Sequence, residues 1–172
     1  VLKNAHRGGS VILYVIRLKE AAMFSQFQSS YSETSRVSSS ANEELLAKIE
    51  PYAKGFSSLV RQFGGVSFDN AIYRIHCAQD ILTWTKTVET ALPKYKGRIV
   101  CFAFDWLGRQ LALDKGKLTD YQMNVLLLEP GTGEALNIPA SFADFHNIDL
   151  VQYRNDVLAS NFYAEWLGSG GS

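Results

Sequence analysis

Residues 97–113 read GRIVCFAFDWLGRQLAL: an apolar run, a tight Asp-Trp-Leu-Gly corner, and a second apolar run. Further on, residues 129–146 read EPGTGEALNIPASFADFH, in which a Pro-Gly-Thr-Gly turn separates one apolar segment from the next. Asp, Gly and Pro set the backbone angles that tight turns require, and the flanking β-branched and aromatic residues suit strands. The pattern predicts two successive β-hairpins, with strands over 98–104, 109–113, 123–128 and 134–138. The polar stretch 114–122 between the second and third strands predicts a surface loop.

Working outward, the flanks read as helices. Asn42 is placed to cap a helix opening Glu43-Glu44-Leu45-Leu46, with acids in the first turn where the helix dipole favours them. Pro51 closes that helix. A second runs from 53 to 63, with Phe56, Leu59, Val60 and Phe63 on one face and Gly64-Gly65 as its stop. Residues 66–76 turn at Asp69-Asn70, after which Ile72, Tyr73 and Ile75 form a strand around Arg74. Gln79-Asp80 opens a helix whose Ile81, Trp84, Val88 and Leu92 have the spacing of one buried face, and Pro93 ends it. Ser141 with Asp144 resembles a capping box, and a last helix over 155–167 turns Val157, Leu158, Phe162 and Trp166 inward. Helices, a small mostly antiparallel sheet of hairpins, then helices again: the fold class is α+β.

The 172 residues fit one domain, with 47% apolar and 12% aromatic residues to build its core. The expected organisation is an appendage over 1–40, a single α+β domain over 41–167, and a linker or tag remnant over 168–172, GSGGS. Ser, Gln and Thr dominate 25–40, which predicts a flexible surface segment. The apolar run of about eight residues at 11–18 is far short of the roughly 20 that a bilayer span needs. It reads as an added strand or as sequence foreign to the natural chain, which then opens at Met23. The charges balance at 17 basic and 17 acidic, so no global field draws the chain to nucleic acid or to an anionic membrane. Cys77 and Cys101 stand in unrelated contexts without CxxC spacing, as buried free thiols of a cytoplasmic protein do.

The sequence carries no GxSxG elbow, no cysteine with an obvious catalytic partner, and no converging set of metal ligands. The expectation is a protein that is not an enzyme and uses no cofactor or metal. His76 is expected to help start the following helix, and His146 to meet the negative end of a short helix. Gly131-Thr132-Gly133 lacks the Lys-Ser/Thr pair of a phosphate loop and reads as a hairpin turn. Asp105, Asp114, Glu129 and Glu134 could gather at one sheet edge. The candidate partner-binding residues are Asp105, Trp106 and Arg109, and two readings stand side by side. In one, Asp105 and Gly108 shape a turn while Trp106 packs and Arg109 pairs with an acid such as Asp105. In the other, Trp106 and Arg109 project from the corner as interface anchors, since Trp and Arg are enriched among binding hot spots.

Several elements occur in order: YRIH (73–76) followed by Trp84, GRI (97–99), FDWLGRQ (104–110), EPGTGE (129–134), Ile138-Pro139 with Ser141-Phe142 and Phe145-His146, and FYAEWL (162–167). In these the chain resembles the bacterial type VI secretion immunity proteins with a GAD-like portion. More narrowly, it is similar to the C-terminal domain of the immunity protein paired with a DNase effector. The resemblance covers roughly residues 55–167. It implies a small cytoplasmic α+β protein that binds and neutralises a cognate toxin or effector without turnover, and it supplies no catalytic residues. The alternative is a ligand- or peptide-binding module of another defence or regulatory system, with the sheet face as its pocket. A hydrolase ranks last.

Overall fold

In the computed structural model, which describes residues 23–171, seven strands form one antiparallel sheet in simple sequence order. The strands are β1 (Glu33–Arg36), β2 (Val66–Phe68), β3 (Tyr73–Ile75), β4 (Ile99–Asp105), β5 (Gln110–Thr119), β6 (Gln122–Glu129) and β7 (Glu134–Ile138). Every neighbouring pair runs antiparallel; β2–β3, β4–β5, β5–β6 and β6–β7 are joined by short turns, while helical segments join β1 to β2 and β3 to β4. The architecture is α+β, as the hairpin pattern predicts.

Helices α1 (Ser25–Ser30), α2 (Glu43–Ile49) and α3 (Phe56–Phe63) cover one sheet face. The C-terminal stretch joins them there: α5 (Phe142–Asp144), a π-turn at Phe145–Asp149, α6 (Leu150–Gln152), α7 (Arg154–Leu158) and α8 (Ser160–Gly168). Between them lies the main core, with Phe27, Phe56, Tyr73, Phe102, Phe142 and Phe145 all fully buried. Among the described residues the opposite face carries a single cover, α4 (Ile81–Ala91) with the short turn Pro93–Tyr95, which packs Val88 and Tyr95 onto Ile99, Cys101, Ala112, Leu126 and Leu128. Because α4 lies over the β4–β6 half, no described element covers the β1–β3 half of that face.

Several local devices follow the sequence directly. The Asn42 side chain accepts from Leu45 N–H at 3.1 Å and caps α2. The Ser141 hydroxyl accepts from Asp144 N–H at 3.1 Å and caps α5. Gly65, at φ +80°, turns the chain from α3 into β2 with Val37 O so close that a side chain would collide with it. Gly131 and Gly133 lie in the β6–β7 turn, where Gly133 N–H donates to Glu129 O.

Elsewhere the fold departs from expectation. Residues 23–36 are not part of a flexible appendage over 1–40. Phe24, Phe27 and Tyr31, spaced three and four apart, bury a helical stripe in the main core, and β1 adds an edge strand to β2. Burying each phenylalanine stabilises the fold by about 1.5–3 kcal/mol, enough to order a segment whose other residues are polar. The expected added strand at 11–18 and the start at Met23 concern residues 1–22, which lie outside the described residues. Helix α3 begins three residues later than expected, because Gly55 at φ +90° precedes it. The stretch 114–122 is no loop. β5 runs on to Thr119 through a bulge that leaves Lys115, Gly116 and Lys117 without partners on β6, and turns at Asp120-Tyr121. The last helix is two, broken at Ala159 with φ 50°. That break turns Phe162 and Trp166 to solvent and Tyr163 inward. In α4, Thr85 occupies the buried position, its hydroxyl accepting from Cys101 N–H at 3.0 Å, while Trp84 is 40% exposed. Among the described residues no helix is long and apolar enough to cross a membrane.

Candidate functional site

The corner residues singled out in the sequence are turned inward. Asp105 is shielded from solvent, and its carboxylate accepts from Leu107 N–H at 3.1 Å, Arg109 N–H at 2.9 Å and Arg109 Nε at 2.7 Å. Arg109, its side chain only 13% exposed, also donates through Nη2 to Val157 O at 2.8 Å. The Trp106 indole N–H donates to Leu158 O at 2.9 Å. Together the three residues tie the β4–β5 turn to the end of α7, where the chain breaks at Ala159 and its carbonyls need donors. Burial pushes the Asp105 carboxyl up from the ordinary range, and Arg109 opposes that rise. Beside the latch, Trp106 packs against Phe162, Tyr163 and Trp166 with ring centroids 5.0–5.6 Å apart, and Phe162 and Trp166 reach solvent while Tyr163 is buried.

The other expected gathering does not form. Glu129 and Glu134 face each other across the β6–β7 turn. Asp114 lies at the far end of the sheet from Asp105, fully buried, and its carboxylate accepts from Arg98 at 2.6 and 2.7 Å.

Both domain histidines are buried and neutral. His146 donates through Nδ1 to Phe142 O at 2.8 Å, which leaves Nε2 to accept from the Tyr73 hydroxyl at 2.9 Å. Burial pushes its pKa down to about 4, so it carries no charge to set against a helix dipole, and it serves the core. His76 donates through Nε2 to Gln110 Oε1 at 3.0 Å, and burial likewise pushes it down to about 4. Of the cysteines, Cys101 is buried and Cys77 half-buried, both with free thiols. Burial raises both thiols, so neither is an activated nucleophile. Among the described residues no group of three His, Cys, Asp or Glu side chains could hold a metal ion.

The surface with the most to offer a partner is the β1–β3 half of the second sheet face, and its centre is Arg74. Strand β3 points Tyr73 and Ile75 into the core and Arg74 away from it. The register runs Ser35, Ser67, Arg74, Phe104 and Gln110 in one row across β1–β5. The guanidinium lies over the Phe104 ring at 5.4 Å. Behind it, Phe104, His76 and Trp84 stack nearly parallel, with successive centroids 5.0 Å and 5.1 Å apart and planes within 24°. Of the six arginines among the described residues, five have a carboxylate within 2.9 Å: Arg36 with Glu33, Arg61 with Glu43, Arg98 with Asp114, Arg109 with Asp105, and Arg154 with Asp69. Arg74 has none, and its buried Nε–H lacks any acceptor.

Arg74 stands on a ridge between two depressions. One, of about 370 Å³, runs along β1–β3 to Trp84, Phe104 and Asp80. The other, of about 570 Å³, is walled by Trp106, Tyr163, Trp166 and Leu167. Arginine flanked by tryptophan is the residue chemistry of interface hot spots, and the strands beneath fix its position. Sequence reasoning missed this site because its parts come from β3, β4, α4 and α8. The available signal was one long cation at the outward position of an otherwise apolar strand. No family model, curated protein or solved structure matches the chain.

Proposed function

We propose that this protein is a bacterial immunity protein that acts in the cytoplasm by binding and neutralising a cognate toxin, in particular a type VI DNase effector, without chemistry of its own. The observation that carries the binding reading is Arg74: a cation held in place by a sheet, lacking a carboxylate partner among the described residues, between two aromatic-walled depressions. A buried donor without an acceptor costs the free protein about 1–3 kcal/mol, and a cost of that size at a surface is recovered when a partner supplies the acceptor. The Trp84, Phe104 and Trp166 rings add area that a macromolecular partner desolvates. The order of YRIH, FDWLGRQ and EPGTGE elements directs the proposal to toxin neutralisation and to the type VI effectors. The test is co-expression with toxins encoded beside the gene, scored by survival of the host. Protection by the wild-type chain that Arg74→Ala with Trp84→Ala removes, while the variant melts as a folded protein, supports the reading. Undiminished protection by that folded variant refutes it for this face.

The concave shape of the 370 Å³ depression supports a second reading, a peptide-binding module of another defence or regulatory system. Capture of an endogenous peptide and failure to protect against every neighbouring toxin would favour it.

A further inference from the structure

We infer that Arg74 is a carboxylate-recognition site, and that the partner presents an aspartate, a glutamate or a chain-terminal carboxylate to it beside an aromatic or aliphatic side chain. The inference rests on the reading of this face as the partner-binding one and adds the chemistry of what is bound there.

Arg74 alone among the described arginines lacks an intramolecular carboxylate. A guanidinium offers a planar fork, and the edge formed by Nε–H and one Nη–H matches the two oxygens of a carboxylate. The orphaned Nε–H is half of that edge. A carboxylate meeting the side chain as it swings off Phe104 completes the missing hydrogen bond and adds a second.

The surroundings select a carboxylate over a polyanion. Asp80 lines the same depression, outside ion-pair distance of Arg74, and repels the several charges of a phosphodiester chain more than the single charge of a carboxylate. The remaining walls are apolar or neutral: Val37, Ala71 and Phe104, with Ser35 and Ser67 on the strands and His76 held neutral by its burial. A single cation among aromatic rings suits one negative charge carried by a largely apolar ligand, with the rings of Trp84 or Trp166 covering the neighbouring side chain.

The test uses phenylacetate as probe and phenylacetamide as its neutral counterpart, followed by the arginine Nε–Hε resonances of the full chain in nitrogen-edited NMR. The Arg74 resonance is assigned as the one lost in Arg74→Gln; should that variant not fold, Arg74→Met serves the same purpose, since it too removes the guanidinium. The expected result is a saturable shift of the Arg74 resonance with phenylacetate, about ten-fold weaker binding of phenylacetamide, and loss of phenylacetate binding in the variant. Equal binding of the two probes, no saturable shift with either, binding undiminished in the variant, or tighter binding of inorganic phosphate than of phenylacetate would each overturn the inference. The survival assay is read separately. Loss of protection in Arg74→Ala without carboxylate preference sinks this inference and leaves the immunity reading. Carboxylate preference with protection intact does the reverse.

Discussion

Breaking the Asp105–Arg109 pair from one side destabilises the fold far more than replacing both partners. Asp105→Ala removes a carboxylate that accepts from two backbone N–H groups and from Arg109 at 2.6–2.7 Å. It leaves a guanidinium with 13% exposure to bear its charge without a counter-ion. A buried pair broken in this way costs about 3–5 kcal/mol. Arg109→Met leaves the Asp105 carboxylate with its two backbone donors and strips Val157 O of its partner, which places it nearer the lower end of that range. In Asp105→Ala with Arg109→Met neither stranded charge exists, and the remaining losses are the turn hydrogen bonds at about 1 kcal/mol each. The double variant therefore costs less than the sum of the singles, with a coupling of about 2 kcal/mol or more. Urea melts of the four proteins measure this. Additive losses, or single variants within about 0.5 kcal/mol of wild type, would refute the structural role derived for the corner. The same melts decide between its two readings, since residues kept free to grip a partner would tolerate replacement.

Three further outcomes follow from particular groups. Arg74→Met removes a buried donor that has no acceptor, so its melting temperature should equal or exceed that of wild type, while, on the proposed function, protection against a toxin is lost; clear destabilisation would show that Arg74 is a structural residue. Gly65→Ala brings a Cβ within 2.5 Å of Val37 O at a backbone angle of φ +80°, so it should destabilise by more than 1 kcal/mol and expose the β1 amides in hydrogen exchange. Both buried histidines have pKa values pushed down from 6.5 to about 4. The unfolded chain takes up their protons first, so stability is full above pH 6.5 and falls as the pH drops toward 4. Each histidine contributes about 3 kcal/mol to that loss. Replacing His76 and His146 with Gln should flatten urea-melt stability across this window, and an unchanged slope would contradict the burial argument.

The central hairpins were legible because alternation, Gly-containing turns and β-branched runs agree over residues 97–138. Caps at Asn42 and Ser141 were legible because a single side-chain oxygen makes each. The misreadings share a cause, in that tertiary contacts decide what local composition leaves open. Phe24 and Phe27 are two aromatics in a polar stretch, and only the core they enter orders them. The β5 extension passes through a bulge, which breaks the strand period at Lys115 to Lys117. Trp84 has the spacing of a core residue, yet α4 covers only half a sheet face and leaves that position at its rim. The site was hidden for a related reason. Trp and Arg at the β4–β5 corner draw the eye as hot-spot residues, but the broken C-terminal helices beside them consume their hydrogen bonds. Arg74 looks ordinary in sequence and becomes distinctive only when, among the described residues, each of its fellow arginines is seen to have an acid and it is seen to have none.

The claim at the centre, that this molecule acts by offering the Arg74 face to a toxin, is tested most directly by isothermal titration of the purified cognate toxin into wild-type and Arg74→Met protein. The account predicts tight binding to wild type, at least a hundred-fold weaker binding to the variant, and equal or higher melting temperature for the variant. Equal affinity for the two folded proteins would contradict it.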